Sequence, residues 1–326
     1  MGEESEFHST LIALQERVNL LLEGHLDRQI EKGAGEVAIE SKRVVMAGGK
    51  RLRPVIMILA YHACGGKIDD DILPLAIAFE LIHTATLVHD DIYDDAEKRR
   101  GVETIHAAKG LAKGVIAGDW LFVQGFGLGG KYQEEIVDLV SEYCSNIAQS
   151  EFLQIDRVMD LKTSPEDYLS IVIGKTAGPF AAACKAASIL AGNSIEQQIK
   201  METFGKEIGI AFQLVDDLLD IRGDERMGKP RGADIHEGKM TLPLIHSLTL
   251  SHGERRARLA HLIEHFEDQF FDELITLLNA SDSLNYTEIL IQNHIERAQN
   301  AIRSLPQNKA TEVLIWLTHF LEHREV

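Results

Sequence analysis

No stretch of this chain reaches about eighteen consecutive apolar residues, the length a helix needs to cross a hydrocarbon core, so no membrane span is expected. The opening MGEESEFHSTLIALQERV is acidic and lacks a basic segment followed by an apolar one, so no secretory signal is expected either. Cysteine is scarce. Cys64, Cys144 and Cys184 are far apart, show no metal-ligand spacing and imply no disulfide framework; they are expected as buried free thiols in a reducing, cytoplasmic compartment. Basic residues are outnumbered, 33 Lys and Arg against 51 Asp and Glu, and the formal charge of −18 argues against nucleic acid or an anionic lipid surface as partner. Valine-rich alternating runs are missing, so nothing demands a sheet. What is present is 45% apolar residues over 326 positions, ample for a core. Apolar residues recur at helical spacing from Leu11–Ile30 through Glu36–Met46, Leu111–Gly130, Tyr132–Met159, Leu259–Leu278 and Tyr286–Ile302. The expectation is one all-α domain over residues 1–326.

The rest of the chain is organised around residues 80–101, ELIHTATLVHDDIYDDAEKRRG. A helical apolar run, opened by Pro74, delivers Asp90, Asp91, Asp94 and Asp95 at its end. At about 100° per residue Asp90 and Asp94 share a face, as do Asp91 and Asp95, and His83 falls on the Asp90 side. Carboxylates at a helix C-terminus oppose the macrodipole, and like charges four apart repel. A helix that accepts both penalties is expected to hold a cation. Lys98, Arg99 and Arg100 follow at once, placing anion-binding groups beside it.

The pattern returns in IGIAFQLVDDLLDIRGD, where Asp216, Asp217 and Asp220 repeat D-D-x-x-D behind an apolar run and Gln213 shares their face. Donors that are all carboxylate oxygen point to a hard ion, Mg²⁺ before Zn²⁺. One such triplet is as well read as solvated surface; two, each followed by basic residues, are not. Gly48-Gly49-Lys50-Arg51-Leu52-Arg53-Pro54 reads as a basic turn with Pro54 in the first turn of the next helix. Ser164-Pro165-Glu166-Asp167 reads as a capped helix start, and Asn193-Ser194 before Gln197 as another. Gly174-Lys175-Thr176 is not a P-loop, because the glycine required five residues earlier is Leu169. The glycines between Gly114 and Gly129 cost about 1 kcal/mol each in a helix. They are justified by close helix contact or by room for a ligand, and the sequence leaves both open.

With both aspartate motifs, GGKRLRP, LIHTATLVHDDI with its RRG, GKTAG and QLVDDLLD in this order, the chain resembles the trans-isoprenyl diphosphate synthase family, the polyprenyl synthetases, from about residue 40 to about 245. The resemblance implies an isoprenoid-synthase-type helical bundle around a central cavity. It also implies a Mg²⁺-dependent prenyltransferase that ionises an allylic diphosphate and joins it head-to-tail (1′-4) to isopentenyl diphosphate. Asp90, Asp91, Asp94, Asp216, Asp217 and Asp220 are the implied metal ligands, for three Mg²⁺. Lys50, Arg53, His83 and Arg100 are implied for isopentenyl diphosphate. Arg99, Lys175, Thr176, Gln213, Lys229 and Lys239 are implied for the allylic diphosphate, the last two in a polar loop suited to a lid. Six carboxylates and a diphosphate of roughly −3 give about −9; three Mg²⁺ supply about +6, and the basic side chains the balance. Thr86 and Ala85, four and five residues before the first motif, are small and favour products of C20 or longer. The resemblance and the apolar segment Gly114–Gly130 suggest a homodimer. Other readings fit less well. A class I terpene cyclase needs no second diphosphate pocket, and a non-catalytic subunit would have lost one motif. A di-iron bundle would use Glu80–His83 and Glu103–His106, which lie too close together across Gly101 and lack partner glutamate helices.

Overall fold

The computed structural model describes residues 2–223 and 231–322. Two compact units form: Met1–Val140 with Ala183–Gln198 and Leu305–Trp316, and Ser141–Ala182 with Ile199–Ser304 and Leu317–Val326. Each is described by itself.

In the first unit α1 (Gly2–Glu31), α2 (Glu36–Val45) and α3 (Leu52–Ala63) precede the long α4 (Asp69–Tyr93). Helix α4 is apolar on nearly all sides, with Ile72, Leu75, Phe79, Leu81 and Ile82 fully buried. By length and composition it could cross a membrane, yet 72% of its apolar window is buried within the protein, as befits a core helix. It begins before Pro74, with Asp69, Asp70 and Asp71 in its first turn, where the helix dipole favours them. Pro74 therefore sits inside the helix, and a hydroxyl repairs the ladder beside it. Tyr132 Oη donates to Asp71 O at 2.8 Å and accepts from Leu75 N at 3.1 Å, bridging the bond that Leu75 would otherwise make to Asp71.

After α4 come a two-residue hairpin, β1 (Lys98–Arg99) and β2 (Val102–Glu103), then α5 (Ile105–Lys109), α6 (Leu111–Gly129) and α7 (Glu134–Asp156), whose residues from Ser141 on belong to the second unit. The hairpin is antiparallel with Arg99 opposite Val102, and its turn residues Arg100 and Gly101 both have positive φ, the geometry a tight hairpin requires. Helix α6 packs against α4 through its glycines. A Cβ on Gly118 would lie 2.1 Å from His89 Nε2, and one on Gly125 would lie 2.6 Å from Ile82 Cγ1. At these two positions close helix contact is the reason for glycine. The opposite side of α6 is apolar and exposed, with Leu111, Val115, Ile116, Val123 and Phe126 in contact with water.

The second unit contains α8 (Pro165–Val172), a π-helical turn (Ile173–Ala177), α9 (Gly178–Leu190), α10 (Ile195–Arg222), α11 (Ala233–His236), α12 (Leu242–Leu250), α13 (Gly253–Glu264), α14 (Phe271–Ala280), α15 (Ser283–Ile302) and α16 (Lys309–Glu322). Helices α9, α10 and α16 also supply residues to the first unit. Ser164 and Asp167 form a reciprocal capping box on α8. Leu214, Leu218, Leu244, Leu259, Leu274 and Leu278 are fully buried in one cluster, each side chain contributing about 1.5–3 kcal/mol. Gly209 lets α10 meet the π turn backbone to backbone, since a Cβ there would lie 2.4 Å from Ala177 Cα. Where a single helix was expected from Leu259 to Leu278, the chain breaks after Glu264 and resumes at Phe271. Among the described residues the fold is all-α apart from the small hairpin.

Candidate active site

The first motif ends its helix with a Schellman motif. Asp95 adopts positive φ, Ala96 N donates to Asp91 O at 2.9 Å and Asp95 N to Ile92 O at 3.3 Å. Asp94 is the C-cap residue and Asp95 has left the helix, so Asp91 and Asp95 do not stack as helical spacing predicts. The aspartates differ in kind. Asp90 and Asp94 are partly buried, whereas Asp91 is only 2% exposed and accepts from Arg99 Nε at 2.5 Å. Burial raises the Asp91 pKa, and the Arg99 charge and hydrogen bond oppose that rise.

A group of guanidiniums lies behind these carboxylates. Arg51, the N-cap of α3, is buried and committed: it donates to Glu80 Oε1 at 2.7 Å, to Asn19 Oδ1 at 2.9 Å and to Val45 O. That ion pair ties the loop before α3 to α4, and losing either partner would strand a buried charge. It also engages Glu80, the glutamate of the first Glu-x-x-His pair, while His106 of the second meets Thr104 Oγ1 through Nδ1. Arg100, at the hairpin tip, donates to Gly48 O. Gly49 makes this possible, because a Cβ on it would lie 2.5 Å from Arg100 Nη1. His83 is partly buried on α4, and its pKa falls well below the usual 6.5 through burial and then the charges of Arg53, Arg100, Arg99 and Arg51. It is therefore a neutral donor in a strongly positive surrounding. Lys50 is exposed beside this group. The start of α3, α4 and the hairpin thus bring Arg53, His83, Arg99 and Arg100 to one place. One turn before Asp90, Thr86 Oγ1 donates to His83 O at 2.8 Å, and Ala85 is fully buried.

The second unit carries the other motif on α10. Asp216 and Asp220 are partly buried and Asp217 is 2% exposed. Asp217 Oδ2 accepts from Tyr168 Oη at 2.6 Å and Oδ1 from Gln213 Nε2 at 2.9 Å. Gln213 Oε1 accepts in turn from Thr176 Oγ1 at 2.9 Å. Asp220 accepts from the backbone N–H groups of Ala233 and Asp234, at 3.0 and 3.2 Å, and so caps α11. Lys175, in the π turn, meets Glu151 Oε2 at 2.7 Å, and Lys239 pairs with Glu237. Lys229 lies outside the described residues.

Sequence reasoning missed three groups here: Tyr168, Glu151 and Asp234. The carboxyl of Asp234 is pushed up to about 7 by burial and then by the Asp220 charge, with Glu237 and Asp216 adding and Lys239 opposing. Asp217 is likewise raised well above the carboxylate range, first by burial and then by Asp234. The spacing of Asp234 five residues before Lys239 in a polar loop was the one available signal; Tyr168 and Glu151 offered none. Among the described residues no three acidic, histidine or cysteine side chains converge as a ready-made metal cage.

Residues 38–277 match the family model described as Polyprenyl synthetase. The chain is 35% identical over 285 residues to an octaprenyl diphosphate synthase of Escherichia coli (strain K12), covering 86% of this chain and 88% of that protein. It is 33% identical over 310 residues to a short chain isoprenyl diphosphate synthase of Methanothermobacter thermautotrophicus, covering 92% and 95%. Among solved structures, a polyprenyl synthase from Caulobacter crescentus CB15, complexed with calcium and isoprenyl diphosphate, superposes with a TM-score of 0.87 at 33% identity over 98% of both chains.

Proposed function

The chain belongs to the polyprenyl synthetase family, and from that premise we propose how its residues divide the work of a trans-prenyl diphosphate synthase. Such a prenyltransferase condenses isopentenyl diphosphate with an allylic diphosphate and releases pyrophosphate. The observation that carries the assignment of residues is the guanidinium group around neutral His83. A diphosphate needs several cations when no metal serves it, and arginine binds its oxygens in pairs. Arg53, His83 and Arg100, with Lys50 at the rim, hold isopentenyl diphosphate. Asp90, Asp91, Asp94, Asp216, Asp217 and Asp220 are the metal ligands on this reading. Arg99, Tyr168 with Gln213, and the start of α11 hold Asp91, Asp217 and Asp220 in place.

The donor set fits Mg²⁺. All six motif groups are hard carboxylate oxygens, and Asp217 and Asp234, raised first by burial and then by neighbouring carboxylates, are groups whose charge a divalent cation would offset. When bound, Mg²⁺, three ions on the family pattern, supplies Lewis-acid stabilisation of the departing pyrophosphate. Arg99, Lys175, Thr176, Gln213, Lys229 and Lys239 serve the allylic diphosphate on this reading. Ala85 and Thr86 leave room for a tail of C20 or longer. The whole chain acts as one catalytic domain, in the cytoplasm, and as a homodimer through the exposed apolar row Leu111, Val115, Ile116, Val123 and Phe126 on α6. Sedimentation at micromolar concentration giving a 36.3 kDa species would contradict the dimer.

The test of the two-substrate assignment is pyrophosphate release from farnesyl diphosphate with and without isopentenyl diphosphate. Release that depends on both supports the assignment. Rapid release from farnesyl diphosphate alone, with a hydrocarbon product, would instead indicate a cyclase.

A further inference from the structure

Tyr168 belongs to no recognised motif, yet it makes one of the shortest side-chain contacts in the second unit. It sits on α8, 5% exposed, with its ring among the buried residues that also include Val172, Leu214 and Leu218. Its hydroxyl donates to Asp217 Oδ2 at 2.6 Å. The other oxygen of Asp217 is held by Gln213, and Gln213 by Thr176. One buried carboxylate thus joins three pieces of backbone: α8 through Tyr168, α10 through itself and Gln213, and the π turn through Thr176. Each end of this chain of bonds adjoins a group assigned to the chemistry, since Asp216 precedes Asp217 and Lys175 precedes Thr176. A hydrogen bond of 2.6 Å is short and directional, so it fixes rotation as well as distance. Removing the hydroxyl leaves an oxygen of the buried Asp217 carboxyl without this partner, at the point where α10 and the π turn meet closely through Gly209.

We propose that Tyr168 is a positioning residue for the condensation, acting through Asp217 to hold Asp216 and Lys175 at a fixed spacing for the same diphosphate. The proposal rests on the assignment of those two residues above. A tyrosine that merely filled the core would affect stability and leave metal activation and substrate discrimination alone.

The experiment is Tyr168→Phe in the full-length enzyme, which keeps the ring and removes one hydroxyl. Turnover is expected to fall about tenfold, with the half-activating Mg²⁺ concentration rising several-fold and the KM for isopentenyl diphosphate within about twofold of the parent. Calorimetry should show weaker binding of the non-ionising thiolo analogue of farnesyl diphosphate, while the metal-free melting temperature moves by only a few degrees. Asp217→Asn supplies the second arm. If Tyr168 acts only through Asp217, adding Tyr168→Phe to that variant causes no further loss of turnover. Unchanged turnover, Mg²⁺ activation and analogue affinity in Tyr168→Phe would overturn the proposal, as would losses that multiply in the double variant. A parent enzyme that fails to elongate any primer would instead overturn the functional assignment on which the proposal rests.

Discussion

Gly49→Ala separates the two diphosphate sites without replacing a charged residue. Gly49 has φ +134°, a conformation that side-chain-bearing residues avoid, and its Cβ would lie 2.5 Å from Arg100 Nη1 and 2.9 Å from Arg100 Cζ. Neither approach is sustainable, so the guanidinium must leave and its bond to Gly48 O is lost. Backbone strain costs about 1–3 kcal/mol of stability. At roughly 2–4 °C per kcal/mol for a chain of this size order, the melting temperature should drop by about 2–12 °C. The catalytic consequence is separate. A charged hydrogen bond to a diphosphate contributes about 1.5–3 kcal/mol, so the KM for isopentenyl diphosphate should rise roughly tenfold to a hundredfold. The KM for the allylic substrate should stay within about twofold. Steady-state kinetics varying each substrate in turn, beside thermal melts, reads both effects. A folded variant whose isopentenyl KM is unchanged, or whose allylic KM alone rises, refutes the reasoning.

Asp90→Ala and Asp216→Ala should each lower turnover by orders of magnitude while leaving the melting temperature unchanged or higher, since each relieves like-charge repulsion; near-normal turnover in either would sink the shared role of the motifs. His83 refuses a proton that the unfolded chain accepts near pH 6.5, so the unfolded state binds more protons below that pH and stability falls as pH drops through it. In His83→Gln the melting temperature should therefore decline less steeply than in the parent between about pH 7.5 and 5.5, and an identical slope would contradict the assigned neutrality. Ala85→Phe inserts a ring at a fully buried position, at about 1–3 kcal/mol of overpacking, and should shift the major product to C15 or C20 without stopping the first condensation. The same product distribution in a folded, active variant would move the length limit to α6 and α7.

Much of the helical layout was legible because its signals are local. The Ser164 cap with Pro165, the start of α6 at Leu111 and the end of α2 before Gly48 all follow from residues within one turn. Misread places involve proline or partners distant in sequence. Pro74 looks like a helix start, but Tyr132, on the far side of the hairpin and α6, supplies the hydroxyl that lets the helix begin at Asp69. At GKTAG, Pro179 lacks an N–H and its ring crowds the preceding turn, which would ordinarily end a helix. The chain instead widens into a π turn, with Gly178 N bonded to Ile173 O, and stays helical. At the site the motifs named the aspartates and basic residues but could not rank them. Asp90 and Asp91 are adjacent and identical in sequence terms, and only the fold buries one against Arg99. Tyr168 was illegible for the same reason, since its meaning lies in a carboxylate on another helix.

The most direct test of the account is elongation itself. The purified enzyme is incubated with labelled isopentenyl diphosphate and, in turn, dimethylallyl, geranyl or farnesyl diphosphate, in Mg²⁺ or in EDTA, and the dephosphorylated products are separated by chain length. The account expects all-trans products of C20 or longer with at least one primer in Mg²⁺, and none in EDTA. Elongation that persists without a divalent cation, or consumption of the allylic diphosphate in Mg²⁺ with no label entering a longer chain, would contradict it.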